Sequence, residues 1–155
     1  MKTLIAYATK HGAAKIIAEK IAEQIEGAEL CDLQEIPMPA VEAYDCVVIG
    51  GSLYAGRVCE AARAFAAKQE ASLRGKTIGL FVSGLAETGI EKYFQSNFPA
   101  AIVEKAKEKA FLGGVYDPAK CNFGEKLILK LLGKKGYVST ISDEKIAAFV
   151  KGMSA

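Results

Sequence analysis

The sequence predicts an α/β protein, an open parallel sheet covered by helices on both faces. Short β-branched or apolar runs alternate along the chain with longer stretches of helical period, which is the pattern of repeated strand–helix units. The chain has 155 residues, 51% apolar and 25% charged. That length suits one domain, residues 1–155, burying roughly 68–70% of its unfolded surface without help from disulfides or a structural metal.

The first unit is the clearest. Thr3, Leu4, Ile5, Ala6 and Tyr7 read as a buried strand, and Ile17, Ile21 and Ile25 recur every fourth position until Gly27 stops the helix. A weaker second strand is expected over residues 28–33, before Pro37 and Pro39 interrupt regular structure. Residues 46–49 (Cys-Val-Val-Ile) give a third strand, running into Gly50 and Gly51. A helix is expected over 60–73, a fully buried strand over 77–82 and a helix from Gly89 to Gln95 that resumes with Pro99 in its first turn. A fifth strand is placed at 110–115. Two helices close the chain, at 123–132 and 143–153, the second capped by Ser142. There is no internal repeat or low-complexity tract.

Composition removes several function classes. Twenty Lys and Arg against 18 Asp and Glu leave a net charge of +2, too small a bias to imply nucleic-acid binding. Cys31, Cys46, Cys59 and Cys121 form no CxxC and no Cys/His pair at metal-ligand spacing, so reduced thiols are expected and no metal site is assigned. The apolar run after Lys2 is broken by Lys10 and His11, too early for an export signal. No stretch reaches the ~18 apolar residues of a membrane span. The expected compartment is the cytoplasm.

In an open parallel sheet the ligand sits outside the carboxyl ends of the strands, where the strand order reverses. The loops after the first, third and fourth strands therefore carry the function: residues 8–14, 50–57 and 83–89. The first contains Thr9, Lys10, His11, Gly12 and Ala13 before a helix N-terminus, where unpaired amides and the helix dipole favour an anion such as a phosphate. It has neither GxxxxGK[ST] nor GxGxxG, so a nucleoside triphosphate and a dinucleotide are both disfavoured. A glycine serving only a strand-to-helix turn is the competing reading. The second loop has three glycines and Tyr54, which is placed either to stack on a flat ring or merely to anchor the loop. The third, with Ser83, Gly84 and Leu85, lies beside it.

Together these features resemble the flavodoxins, over essentially the whole chain. Val47-Val48-Ile49-Gly50-Gly51-Ser52 with Gly56, and the run Lys126 to Leu132, are similar to the flavodoxin-domain branch that includes menaquinone-dependent protoporphyrinogen dehydrogenase. The resemblance implies a five-stranded parallel sheet of order 2-1-3-4-5 and bound FMN. It implies phosphate contacts from Thr9, Lys10, His11, Gly12 and Ala13. Ring contacts would come from Ser52, Leu53, Tyr54, Ala55 and Gly56, and from Ser83, Gly84 and Leu85. Two positions depart from the pattern. Ala14 stands where the family's phosphate loop usually ends in Thr, and Ala55-Gly56 follow the aromatic where electron carriers often have Gly-Asp.

FMN would perform the electron chemistry, leaving the protein to set potential and access. A pI near 8.3 and Arg57 at the rim favour an oxidoreductase using a small reductant or a quinone. A soluble electron carrier working with a redox protein is the alternative, and a cofactor-free interaction domain a third. A phosphoryl-accepting receiver of the same strand order lacks its aspartates here. His11 lies too far from the expected ring to act as a base, so no catalytic residue is assigned. Residues 126–137 carry four lysines, no acid and several leucines, and are read either as a basic face for an anionic membrane or as a helix packed on the sheet.

Overall fold

Six consecutive buried residues mark β1 (Thr3–Ala8) as an interior strand of the sheet. A strand covered on both faces needs apolar side chains in both directions, and its sequence supplies them. The computed structural model describes residues 2–35, 40–85, 89–116 and 138–155. The remaining strands are β2 (Glu29–Asp32), β3 (Cys46–Tyr54), β4 (Arg57–Val58), β5 (Thr77–Ser83), β6 (Glu108–Phe111), β7 (Val115–Tyr116) and β8 (Val138–Ser139). The helices are α1 (Ala13–Glu23), α2 (Glu60–Lys68), α3 (Ile90–Asn97), α4 (Ala100–Lys105) and α5 (Asp143–Ser154).

Five strands run parallel in the order β2-β1-β3-β5-β6, with β4 paired to the end of β3 and β7 pairing β8 as a separate two-stranded ribbon. This is the expected order, since β5 and β6 are the fourth and fifth parallel strands. Side chains alternate between two cores. Leu4, Ala6, Val47, Ile49, Leu80 and Val82 face α2, α3 and α4, whereas Ile5, Tyr7, Val48 and Phe81 meet α1 and α5. Phe81 and Phe149 pack edge to face with centroids 6.5 Å apart. Ser142 caps α5 by accepting a hydrogen bond from the Lys145 amide.

Several boundaries differ from the sequence reading. The fifth parallel strand is Glu108–Phe111, earlier than residues 110–115, because the chain leaves the sheet at Leu112 and turns through Gly113, whose φ is +93°. The helix expected over 60–73 ends at Lys68. Pro99 is the N-cap of α4 and lies outside the helix. Cys31, Cys46 and Cys59 are free thiols, as expected. Cys121, the helix expected at 123–132 and the basic stretch 126–137 lie outside the described residues. Among the described residues no helix is long and apolar enough to cross a membrane.

Candidate functional site

Parallel register brings the three loops to one edge. Ala8 pairs with Gly51, and Ser52 with Ser83, so the residues that follow β1 meet the ends of β3 and β5. The hydroxyl of Ser52 is the meeting point. Thr9 Oγ1 lies 3.3 Å from Ser52 Oγ, Ser83 Oγ lies 3.4 Å from it, and the Lys10 amide donates to it at 3.4 Å. These contacts are too long for strong bonds. The three hydroxyls are grouped, and those of Ser52 and Ser83 are linked to one another only by a long contact.

The first loop is tied by its own residues. The Gly12 amide donates to Thr9 Oγ1 at 2.8 Å, and Gly12, at φ +97°, turns the chain into α1. Only a residue without Cβ takes that turn at no steric cost. Gly12 provides no side-chain cap, and the first turn of α1 contains no acid. The helix therefore starts with amides directed outward and no carboxylate competing for them, which is the electrostatic requirement for an anion site. Ala13 and Ala14 are buried against the sheet. A residue the sequence reading missed, Gln34 after β2, anchors the loop from its other side by accepting from the Thr9 amide at 3.1 Å.

The second loop is shorter than expected. Gly50, Gly51 and Ser52 remain inside β3, which continues to Tyr54. A Cβ on Gly50 would lie 2.0 Å from the Phe81 ring, and one on Gly51 would lie 2.5 Å from Val58. These glycines serve packing between strands and helices, so the placing of all three in the loop is corrected: only Gly56 lies in the turn. Ala55 and Gly56 form a two-residue hairpin with φ of +52° and +79°, the pattern of a type I′ turn. Among the described residues Ala55 is the non-glycine residue in the left-handed region, a conformation that costs an L-residue about 1–2 kcal/mol.

Neighbouring elements hold the hairpin. The buried side chain of Asn97, at the end of α3, accepts from the Val58 amide at 2.9 Å and donates to the carbonyls of Gly56 at 3.2 Å and Tyr93 at 2.8 Å. Arg63 Nε donates to the Val58 carbonyl at 2.9 Å, and the Cys59 amide to the Ser52 carbonyl at 2.9 Å. Burial pushes the Cys59 thiol up from its ordinary value. Tyr54 is 47% exposed, with the Lys10 ammonium 3.4 Å from its ring centroid. One face of that ring is thus already engaged by a cation. Lys10, Ser52, Tyr54, Arg57 and Arg63 line a cavity of about 410 Å³, within the usual size range of small-molecule sites.

The third loop adjoins the second, because a Cβ on Gly84 would lie 3.5 Å from the Cβ of Leu53. The Gly84 amide donates to the Gly113 carbonyl at 3.1 Å. Leu85 is half-buried beside it, and His11 is half-buried on the first loop. The thirteen residues expected at the site therefore lie at one sheet edge, with Ser52, Leu53 and Tyr54 at the end of β3, Ser83 at the end of β5, Ala13 at the start of α1 and the rest in the connecting loops. Among the described residues, no cluster of three His, Cys, Asp or Glu could hold a metal.

An open parallel sheet with hydroxyls and a helix N-terminus at the carboxyl ends of its central strands defines a doubly wound α/β protein with an anion-accepting edge. The chain belongs to the Flavodoxin domain family, which it matches over residues 4–143. Among solved structures it is similar to a short-chain flavodoxin associated with a non-canonical PDU bacterial microcompartment. The two are 16% identical, with 99% of this chain and 97% of that one covered and a TM-score of 0.63. Oxidised flavodoxin 1 from Bacillus cereus gives 16% identity, 99% and 97% coverage and a TM-score of 0.57. A flavoprotein from Lactobacillus acidophilus NCFM, in complex with FMN, gives 19% identity, 73% and 91% coverage and 0.51. At these identities the likeness is one of fold. No curated protein sequence matches the chain.

Proposed function

We propose that this protein binds FMN and acts as an FMN-dependent oxidoreductase that takes electrons from a small reductant or passes them to a quinone. The observation that carries the cofactor is the start of α1, where an uncapped, acid-free helix end faces the grouped hydroxyls of Thr9, Ser52 and Ser83. The first-turn amides with Thr9, Lys10, His11, Gly12 and Ala13 would hold the phosphate. Ser52, Leu53, Tyr54, Ala55 and Gly56 would border one side of the ring, and Ser83, Gly84 and Leu85 the other. FMN supplies one- or two-electron transfer when bound. The protein's residues orient the ring, exclude water and set the charge around it.

Charge at the rim supports the enzyme reading. Among the described residues Lys10, Arg57 and Arg63 line the cavity against the single acid Glu60, a surface suited to a small anionic or neutral reactant rather than to a basic partner protein. The branch that includes menaquinone-dependent protoporphyrinogen dehydrogenase offers a functional parallel to this proposal. A soluble electron carrier is the second reading, favoured by the names of the flavodoxins that share the fold. Turnover of a water-soluble quinone separates the two, because a carrier transfers electrons to a protein partner and turns over quinone slowly.

Fluorescence titration tests the phosphate cradle. FMN is expected to bind far more tightly than riboflavin, which lacks the phosphate. Gly12→Val is expected to remove most of that difference, because a β-branched residue does not readily take a positive φ. Equal affinities for the two flavins in the unmodified protein would overturn the phosphate cradle.

A further inference from the structure

The Asn97 side chain lies 41 residues from Gly56 in sequence but donates a hydrogen bond to the Gly56 carbonyl at the hairpin tip. It is 8% exposed, and its amide orientation is fixed by its partners: an N–H faces Oδ1, and two carbonyls face Nδ2. The other side chain that holds the hairpin, Arg63, reaches the Val58 carbonyl and not the tip. Only two residue pairs join β3 to β4, Leu53 with Val58 and Tyr54 with Arg57, while Ala55, Gly56 and Arg57 are all exposed. Ala55 adds backbone strain at the same point.

We infer that Asn97 is a positioning residue for the flavin site, fixing which polar face of the Ala55–Gly56 turn is offered to the ring and so biasing the flavin between its oxidised and reduced forms. This rests on the FMN reading. A peptide group is planar, so tethering the Gly56 carbonyl fixes the plane of the 56–57 peptide. With both turn residues at positive φ, the neighbouring 55–56 peptide at the tip is fixed as well. Its carbonyl and its amide have opposite polarity, and oxidised and reduced flavin differ in the hydrogen bonding they accept and donate. Whatever holds the tip therefore contributes to the difference in affinity between the two redox forms. Asn97 makes that hold from the end of α3, where Phe94 and Phe98 are buried in the core.

The measurement is the ratio of FMN affinities in the oxidised and reduced protein, obtained from the midpoint potential of the bound flavin against that of free FMN. Asn97→Ala is expected to change the ratio by about two- to tenfold, the effect of one neutral hydrogen bond, and to shift the visible flavin spectrum. The preference for FMN over riboflavin should be unaltered, since the first loop is untouched. Asn97→Leu is the second variant. It keeps nearly the same volume and adds no charge but removes the donor to the Gly56 carbonyl, so it should also shift the ratio, and it serves if Asn97→Ala does not fold. Equal weakening of both redox forms, with the ratio unchanged in a folded variant, would mean a merely structural role and overturn the inference. A wild-type chain that takes up no FMN would overturn the cofactor reading and this inference with it.

Discussion

The loop after β1 and the hairpin after β3 converge on the hydroxyl of Ser52, but they are held by different means. In the first, the closing bond runs from Gly12 back to Thr9, three residues away, and the helix that follows begins at once. In the second, Asn97 and Arg63, on two separate helices, grip a turn that carries its own strain. One is a local device that travels with its sequence. The other depends on tertiary packing to keep an unfavourable backbone in place, and its geometry therefore responds to changes made elsewhere in the molecule.

Substitutions can break this contrast, beginning with the largest expected effect. Asn97→Ala leaves the buried Val58 amide without its acceptor and should cost about 1–3 kcal/mol of stability, measured by urea denaturation. Thr9→Ala removes the acceptor for Gly12 in a more solvated loop, so about 0.5–1.5 kcal/mol is expected from the same measurement. Ala55→Gly should act in the opposite direction. Relief of the left-handed strain, about 1–2 kcal/mol, outweighs the extra unfolded-chain entropy of about 0.4–1 kcal/mol, for a net gain of roughly 0.5–1 kcal/mol. A loss instead would mean that the turn is unstrained and needs no external hold.

A pH titration supplies a control at the opposite end of the sheet. The Tyr44 hydroxyl donates to the Glu29 carboxylate, and that bond, followed by burial, pushes the phenol up to about 12 from its ordinary value of 10. The folded protein holds this proton more tightly than the unfolded chain. The stabilisation is therefore complete below pH 10 and is lost as pH rises from 10 to 12. Tyr44→Phe should flatten the urea midpoint across that window, while the hairpin variants keep the wild-type slope.

The same contrast explains what could be read from the sequence. β1, α1, β3 and β5 announced themselves through continuous apolar runs and four-residue periodicity, and Ser142 through its place before an acidic first turn. The first loop was legible because Thr9 and Gly12 are close in sequence. Asn97 gave no such signal, since an Asn followed by Phe98-Pro99 reads as an ordinary helix stop. Gln34 was hidden for the same reason, as its partner lies on a different strand–loop unit. Gly50 and Gly51 misled because a glycine pair at a strand end looks like a turn. Only the positions of the Phe81 ring against Gly50 and of Val58 against Gly51 show that they are packing sites.

That ring and Gly50 also constrain how the sequence can change over time. With a virtual Cβ 2.0 Å from the Phe81 ring, Gly50→Ala overfills the space and Phe81→Leu underfills it, so either step alone carries a penalty. Taken together the two changes partly cancel, because the added methyl occupies room vacated by the ring. A double-mutant cycle should show this as a favourable coupling. Drift at these positions would then proceed as a paired exchange, with each residue acting as the gatekeeper for the other, and the strand end that supports Ser52 would be buffered against one-step variation.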